Sequence, residues 1–207
     1  MKTFPIMLNL RQQRVVVVGG GPVGLGRARE ISLGGADVLL VDPAAEEVSD
    51  IEGVKLLAEV YHPEQLAGAF MVFCCTDDPG LNKNIAADAR ASGAMVNIAD
   101  NPNGSDFHMP VIIRDGDVTM AISTGGCSPS LARQLGDSIE LPDRIGLFAA
   151  CLGQIRKRAR LEITGLASRK EILIRLADSE SYQSFLVGGE DAISSLYESL
   201  KKEIDQR

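Results

Sequence analysis

Three aspartates and one glycine run hold most of the chemistry that this 207-residue sequence can offer. Asp42, Asp77 and Asp100 each stand just past an apolar run of strand length, and Gly19-Gly20-Gly21-Pro22-Val23-Gly24 stands just past another. The glycine segment fits G-x-G-x-x-G. Gly19 permits a tight turn out of a strand, Gly21 lets a pyrophosphate approach the backbone, and Gly24 lets helix and strand pack closely. Pro22 suits the first helical position, where its missing donor is harmless. With Val23 it opens a helix whose N-terminal N–H groups and positive dipole end suit phosphates. Asp42 lies 23 positions beyond Gly19, with Pro43 beside it. A carboxylate there accepts from a ribose 2′-OH and repels a 2′-phosphate. No Lys or Arg follows until Lys55, so NAD is expected over NADP. The alternative is a glycine-rich strand-to-helix turn with no ligand.

The elements that must position these residues read as β-α-β-α-β. Arg14 to Val18 reads as a buried parallel strand, a helix runs from about Val23 to Leu33, and Asp37 to Val41 is the next strand. Gly26 inside that helix costs up to about 1 kcal/mol against Ala, and close packing there is the expected reason. Pro43 to Val48 suggests a short helix, Val54 to Leu57 a strand, and His62 to Leu66 a turn leading into a helical turn. Phe70 to Cys75 is a further buried strand, followed by the Thr76-Asp77-Asp78 loop. A helix from Leu81 to Ser92 presents Ile85, Ala86 and Ala89 to the sheet. Met95 to Ala99 is a strand ending at Asp100. Short connections of this kind make a doubly wound parallel sheet, an α/β fold of Rossmann type. Ligands bind beyond the carboxyl ends of such strands, so Asp42, Thr76-Asp77-Asp78 and Asp100 form the expected rim. Phe4 to Leu8 is expected to lie extended against the sheet.

After Asp100 the alternation stops. Phe107 to Ile113 and Val118 to Ser123 read as strands joined by a hairpin at Arg114-Asp115-Gly116-Asp117. Ser128-Pro129 suits an N-cap and first helical position for a helix from about Ser130 to Glu140. From Leu141 onward the pattern is helical, with Ile145, Phe148, Ala149 and Leu152 recurring at helical spacing, as do Ile172, Leu173 and Leu176. The cluster Arg156-Lys157-Arg158 with Arg160 reads most simply as a solvated helix face, and contact with an acidic ligand is the other reading.

Composition narrows the function classes. At 45% hydrophobic and 24% charged the chain is an ordinary soluble globular one. A net charge of −7 and the absence of Trp argue against a nucleic-acid surface. No apolar run approaches the ~20 residues of a membrane span, and the N-terminal segment lacks the pattern of a signal peptide. The four cysteines form no C-x-x-C, and with only His62 and His108 beside them no metal site is legible. Their usage suits the cytoplasm.

Taken together these blocks resemble the siroheme synthase dehydrogenase/ferrochelatase module, the precorrin-2 dehydrogenase family. The resemblance runs from Phe4–Leu10 through Val15–Arg29, Cys75–Asp78 with Asn82, and Val96–Asp100. It is strongest in Phe107-His108-Met109-Pro110 and in Ala121–Arg133, and covers about Lys2 to Glu140. It implies NAD-dependent oxidation of precorrin-2 to sirohydrochlorin, and in some members insertion of ferrous iron (or cobalt) at the same site. It implies three parts: an NAD-binding Rossmann domain over 1–105, a small α+β dimerisation region over 106–140, and a helical C-terminal domain over 141–207. A homodimer follows from that plan. Since the chain stops at Arg207, the methyltransferase of the longest members is expected to be absent.

The family's essential carboxylate falls on Asp100, as a general base for the proton that must leave with the hydride; the alternative is a strand cap. Thr76, Asp77 and Asn82 match the loop beside the cofactor, although such residues also build loops on their own account. Ser128 matches a serine that some members carry phosphorylated, and an N-cap hydroxyl explains it equally. His108 is a candidate for substrate or metal, or a half-buried structural residue. Arg27, Arg29, Arg114 and Arg133 are the candidate cations for a polycarboxylate, or helix-surface and dimer contacts. A non-catalytic NAD(H)-sensing domain remains the reading from another class; it would need neither Asp100 nor the Ala121–Arg133 block.

Overall fold

The computed structural model describes residues 3–44 and 51–206. The chain divides into two compact units, Met1–Met109 and Pro110–Arg207. In the first, strands β1 (Arg14–Val18), β2 (Asp37–Val41), β3 (Val54–Leu57), β4 (Met71–Cys74) and β5 (Met95–Ile98) form one parallel sheet. Its order is β3-β2-β1-β4-β5. The order reverses between β1 and β4, which opens a crevice above their carboxyl ends.

The continuous valine run of β1 follows from burial on both faces. Val15 and Val17 point to one core with Val38, Leu40, Met71 and Phe73, and helix α1 (Pro22–Ser32) covers it with Ala28 and Ile31. Val16 and Val18 point to the other core with Val41, Val72, Cys74 and Val96, covered by helix α2 (Pro79–Ala91) through Ile85, Ala86 and Ala89. Each fully buried valine contributes about 1.5–3 kcal/mol. Helix α2 starts where Pro79 follows an Asp78 cap that accepts from Gly80 N at 2.7 Å and Leu81 N at 3.2 Å. It stops at Gly93, whose φ of +84° ends a helix cheaply.

Three expectations fail in this unit. The strand expected from Phe107 begins only at Val111, because Phe107 and Met109 pack against the first core in place of pairing with a neighbour. Phe4 to Leu8 does not pack on the sheet: Phe4 is 86% exposed, and Leu10 is the residue that reaches the core. The reason is pairing, since Gln12 N–H and Asp37 N–H tie the chain to Gly35 and Gln13 carbonyls only from Leu10 onward. Gly26 has open space where a Cβ would stand, so close packing does not explain it. Most of the expected helix at Pro43 to Val48 lies outside the described residues; Pro43 and Ala44 form a turn.

In the second unit, β6 (Val111–Asp115) and β7 (Val118–Ile122) pair antiparallel across the two-residue turn Gly116-Asp117, with Gly116 at φ +52°. Helix α3 (Pro129–Ser138) lies on this hairpin so closely that a Cβ on Gly136 would stand 2.7 Å from Val111 Cγ1. Helix α4 (Ile145–Glu162) begins against it, with Gly146 N–H donating to Asp115 Oδ2 at 2.8 Å. Helices α5 (Leu166–Arg175) and α6 (Ser179–Asp205) complete a helical core of Phe148, Cys151, Ile155, Ile172, Leu176, Phe185 and Tyr197.

Candidate functional site

The turn after β1 is built by two glycines that admit no side chain. Gly19 adopts φ +106°, and a Cβ there would lie 2.5 Å from Cys75 O. A Cβ on Gly24 would lie 1.8 Å from Gly19 O, so helix α1 can start this close to the strand only with glycine. Gly21 differs. Nothing lies within 4 Å of its missing Cβ, and it caps α1 without any side-chain hydrogen bond. The first N–H groups of α1 therefore face an open cradle, the geometry that a pyrophosphate requires. Pro22 is the first helical residue, and Val23 is half exposed beside it.

Asp42 stands at the end of β2, beside that cradle. Its Oδ2 accepts from Gly20 N–H at 2.5 Å and its Oδ1 from Ala44 N–H at 2.7 Å. The carboxylate thus braces the glycine turn and the Pro43 turn together. Each oxygen keeps a further lone pair, so acceptance from a ribose hydroxyl remains open.

On the other side of the reversal point, the loop after β4 is locked internally. Thr76 N–H and Thr76 Oγ1–H both donate to Asn82 Oδ1, and Asn82 Nδ2 donates back to Thr76 O. Asn82 is only 4% exposed. Its carboxamide is the support of the loop, while Asp77 is exposed at its tip. Cys75 lies just past β4, not within it. Burial pushes its thiol up to about 11; the Arg27 guanidinium opposes that shift and the Asp100 carboxylate adds to it.

Asp100 is at the end of β5 in the left-handed region, φ +59°, and exposed. Asn101 N–H closes the turn onto Ile98 O at 3.2 Å. Few residues adopt this backbone, and Asp tolerates it better than most. The carboxylate has no hydrogen-bond partner among the described residues, so it does not cap the strand. The segment that follows is fastened at several points. Ser105 Oγ accepts from Ile98 N–H at 2.9 Å, Asp106 Oδ2 accepts from Val96 N–H at 2.9 Å, and Asn97 Nδ2 donates to Phe107 O at 2.8 Å. Arg90 adds a salt bridge to Asp106 and donates to Gly104 O. His108 is half-buried, its Nε2 placed 3.2 Å from Pro102 O, so with the proton on Nε2 it steadies the same loop.

The sheet edge therefore brings Gly19, Gly21, Pro22, Val23, Gly24, Asp42, Pro43, Thr76, Asp77 and Asp100 to one side of the first unit. Arg114, Ser128 and Arg133 belong to the second unit. Ser128 is the N-cap of α3, its Oγ accepting from Leu131 N–H at 3.2 Å, with Thr124 Oγ1 bridging Ser128 N–H and O. Arg114 on β6 and Arg133 on α3 are both exposed. Among the described residues no three His, Cys, Asp or Glu side chains gather as a metal set. None of the described helices is long and apolar enough to cross a membrane.

The family model described as "Putative NAD(P)-binding" matches residues 6–111. This chain belongs to that NAD(P)-binding family. The match spans the whole parallel sheet, including the Gly19–Gly24 turn and Asp100. Among curated proteins, the chain is 34% identical over 205 residues to the siroheme synthase of Methylococcus capsulatus, covering 96% of this chain and 43% of that protein. It is 29% identical over 214 residues to the siroheme synthase of Nitrosomonas eutropha, covering 100% of this chain and 45% of that protein. The chain thus spans less than half the length of these curated relatives. A solved structure named "SirC, precorrin-2 dehydrogenase" shares the fold, with TM-score 0.76 at 20% identity over 95% of this chain and 100% of that one.

Within this NAD(P)-binding fold, sequence reasoning missed the fastening set of Arg90, Asn97, Ser105 and Asp106. Asn97 carried a signal, being an amide in an apolar strand, where a buried polar group needs a partner. Arg90 and Asp106 carried none, because their contact joins positions 16 apart in the chain.

Proposed function

We propose that this chain is an NAD-dependent precorrin-2 dehydrogenase, with Asp100 as its general base. One observation carries the reading: a cradle for pyrophosphate and an unpartnered carboxylate in strained backbone occupy the same sheet edge. Strain of about 1–3 kcal/mol persists at positions where the surroundings over-determine it, and such positions cluster at functional sites. Similarity to siroheme synthases along nearly the whole chain, and to the fold of a precorrin-2 dehydrogenase, supports precorrin-2 as the substrate.

Gly19, Gly21 and Gly24 with the first N–H groups of α1 would hold the cofactor's pyrophosphate, and Asp42 its adenosine ribose. A carboxylate at Asp42 favours NAD over NADP by repelling a 2′-phosphate. Bound NAD supplies the hydride acceptor. Asp100 takes the proton that leaves the macrocycle as the hydride departs, and its exposure lets it return that proton to water. The locked Thr76–Asn82 loop and the fastened Asn101–Phe107 segment keep the two sides of the crevice in register, so that neither has to be ordered during turnover.

The second unit supports two further parts of the reading. Met120, Leu131 and Leu135 are exposed apolar residues on β7 and α3, which suits a homodimer formed through the 106–140 region, followed by a helical domain over 141–207. Arg114, Arg133 and Ser128 are the candidates in that region for contact with a polycarboxylate. Four free cysteines, with the Cys74 thiol pushed by burial up to about 12, suit the reducing cytoplasm. The test is anaerobic absorbance of the purified chain with precorrin-2, with NAD and separately with NADP. Conversion to sirohydrochlorin with NAD supports the reading, and no conversion with either cofactor overturns it.

A further inference from the structure

The basic cluster of α4 is split by the fold into two sets with different work. Arg158 is spent on structure: its Nε bonds Glu162 at 2.6 Å, its Nη2 bonds Glu198, and its guanidinium lies 5.0 Å from the Tyr197 ring centre. Arg175 on α5 pairs with Glu203 at 2.9 Å, and Lys201 with Glu162 at 2.7 Å. Arg156 and Arg160, one helical turn apart, have no carboxylate partner among the described residues. The same holds for Arg169 and Lys170 on α5. These four cations line one cavity of about 460 Å³ between α4 and α5. Its apolar lining is Leu166, Leu173, Ile174 and Ala177. The positions 166, 169, 170, 173 and 174 recur at three and four, so α5 turns one continuous face to it, and Ala177 adds to the lining from the turn that follows.

That combination is unusual for this chain. The protein carries net −7, and its helical unit has carboxylates to spare for Arg158, Arg175 and Lys201. Four uncompensated cations in one place repel each other and gain only when an anion joins them. The floor is equally incomplete, with Leu166 76% and Ile174 61% exposed. A phosphate or a chloride would meet the charge and leave the apolar surface wet. A neutral hydrophobe would do the reverse. The volume falls within the range of about 300–1,000 Å³ common to small-molecule sites.

We infer that the α4–α5 groove is a binding site for an amphipathic polycarboxylate, its apolar body on Leu166, Leu173 and Ile174 and its carboxylates on Arg156, Arg160, Arg169 and Lys170. Arginine suits that task because its planar fork meets a carboxylate with two parallel donors. The identification of the ligand as the tetrapyrrole rests on the proposed function; the ligand class does not. In that case the helical unit holds substrate or product on its own account, apart from the oxidation that Asp100 serves.

The test is fluorescence titration of the full chain with uroporphyrin, a stable tetrapyrrole polycarboxylate, for wild type, Arg156→Gln/Arg160→Gln and Ile174→Gln. All three substituted side chains are exposed, and far-UV circular dichroism checks each fold. Loss of two charge-assisted contacts should weaken the groove component by about tenfold or more. Raising salt should weaken it in wild type, and Arg156→Lys/Arg160→Lys should restore part of the affinity. Folded variants that bind uroporphyrin as wild type does would overturn the site. Groove-dependent binding by a chain that never oxidises precorrin-2 keeps this site and discards the dehydrogenase. Oxidation of precorrin-2 with groove-independent binding does the opposite.

Discussion

Thr76 and Asn82 hold each other through a closed set of hydrogen bonds, 3.1 and 2.7 Å from the threonine N–H and hydroxyl to Asn82 Oδ1, and 2.9 Å from Asn82 Nδ2 to Thr76 O. This contact ties the β4 end to helix α2 across the crevice from the glycine turn. Asn82→Ala removes the buried partner of both Thr76 backbone groups and should cost about 1–3 kcal/mol. A thermal melt reads that loss. Titration with NAD should show weaker binding as well, since the freed loop must be ordered by the cofactor. A melt unchanged from wild type would contradict the assignment.

Gly21 and Gly24 should respond in opposite ways to the same methyl group. Gly24→Ala forces a Cβ to within 1.8 Å of Gly19 O, a backbone atom, and should destabilise the first unit by about 3 kcal/mol or more. Gly21→Ala meets no protein atom within 4 Å, so its melting temperature should stay near wild type. Its NAD affinity should fall about tenfold or more, because the methyl group occupies the cradle. Isothermal titration and a melt on both variants separate the two roles.

Glu162 links α4 to α6, accepting from Arg158 at 2.6 Å, Lys201 at 2.7 Å and the Tyr197 hydroxyl at 3.0 Å. Lys201 first, then Arg158, lower its carboxyl from 4.5 to about 2. A lowered carboxylate pKa stabilises the fold above the unfolded value and loses that effect as pH falls through the folded one. Glu162→Gln should therefore melt below wild type at neutral pH, with the gap closing between about 4.5 and about 2. A gap that persists at the acid end would point to packing in place of charge.

Gly26 faces open space within α1 and has no positive φ. Gly26→Ala should therefore stabilise by about 0.5–1 kcal/mol. Differential scanning calorimetry would register a rise of about 1–4 °C. A fall would contradict the open space around Gly26.

What could be read from the residues was local. The β1–α1–β2 unit was legible because its strands are buried on both faces and its turn demands glycine, and β2 was placed to the residue at Asp37–Val41. The hairpin around Gly116 was legible from its turn alone, where Gly116 takes φ +52°, since neither of its strands is fully buried. Partnerships between distant residues were not. Phe4 to Leu8 is as apolar as a core strand, yet no described backbone pairs with it before Leu10. Asp42 was read as a ribose acceptor, and its hydrogen bond to Gly20 N–H, which braces the turn itself, left no mark in the sequence. The basic cluster of α4 read as one solvated face because Glu198, Arg169 and Lys170 arrive from other helices. Only the folded chain divides Arg158 from Arg156 and Arg160.

Asp100→Asn tests the central claim most directly. The substitution keeps the size of the side chain, and Asn adopts the left-handed backbone at φ +59° at least as readily as Asp. Fold and NAD affinity should be those of wild type, while anaerobic conversion of precorrin-2 to sirohydrochlorin should fall by about 10²–10⁴-fold, the range of a lost general base. Wild-type turnover by the NAD-bound Asp100→Asn chain would contradict the account and remove Asp100 from the mechanism.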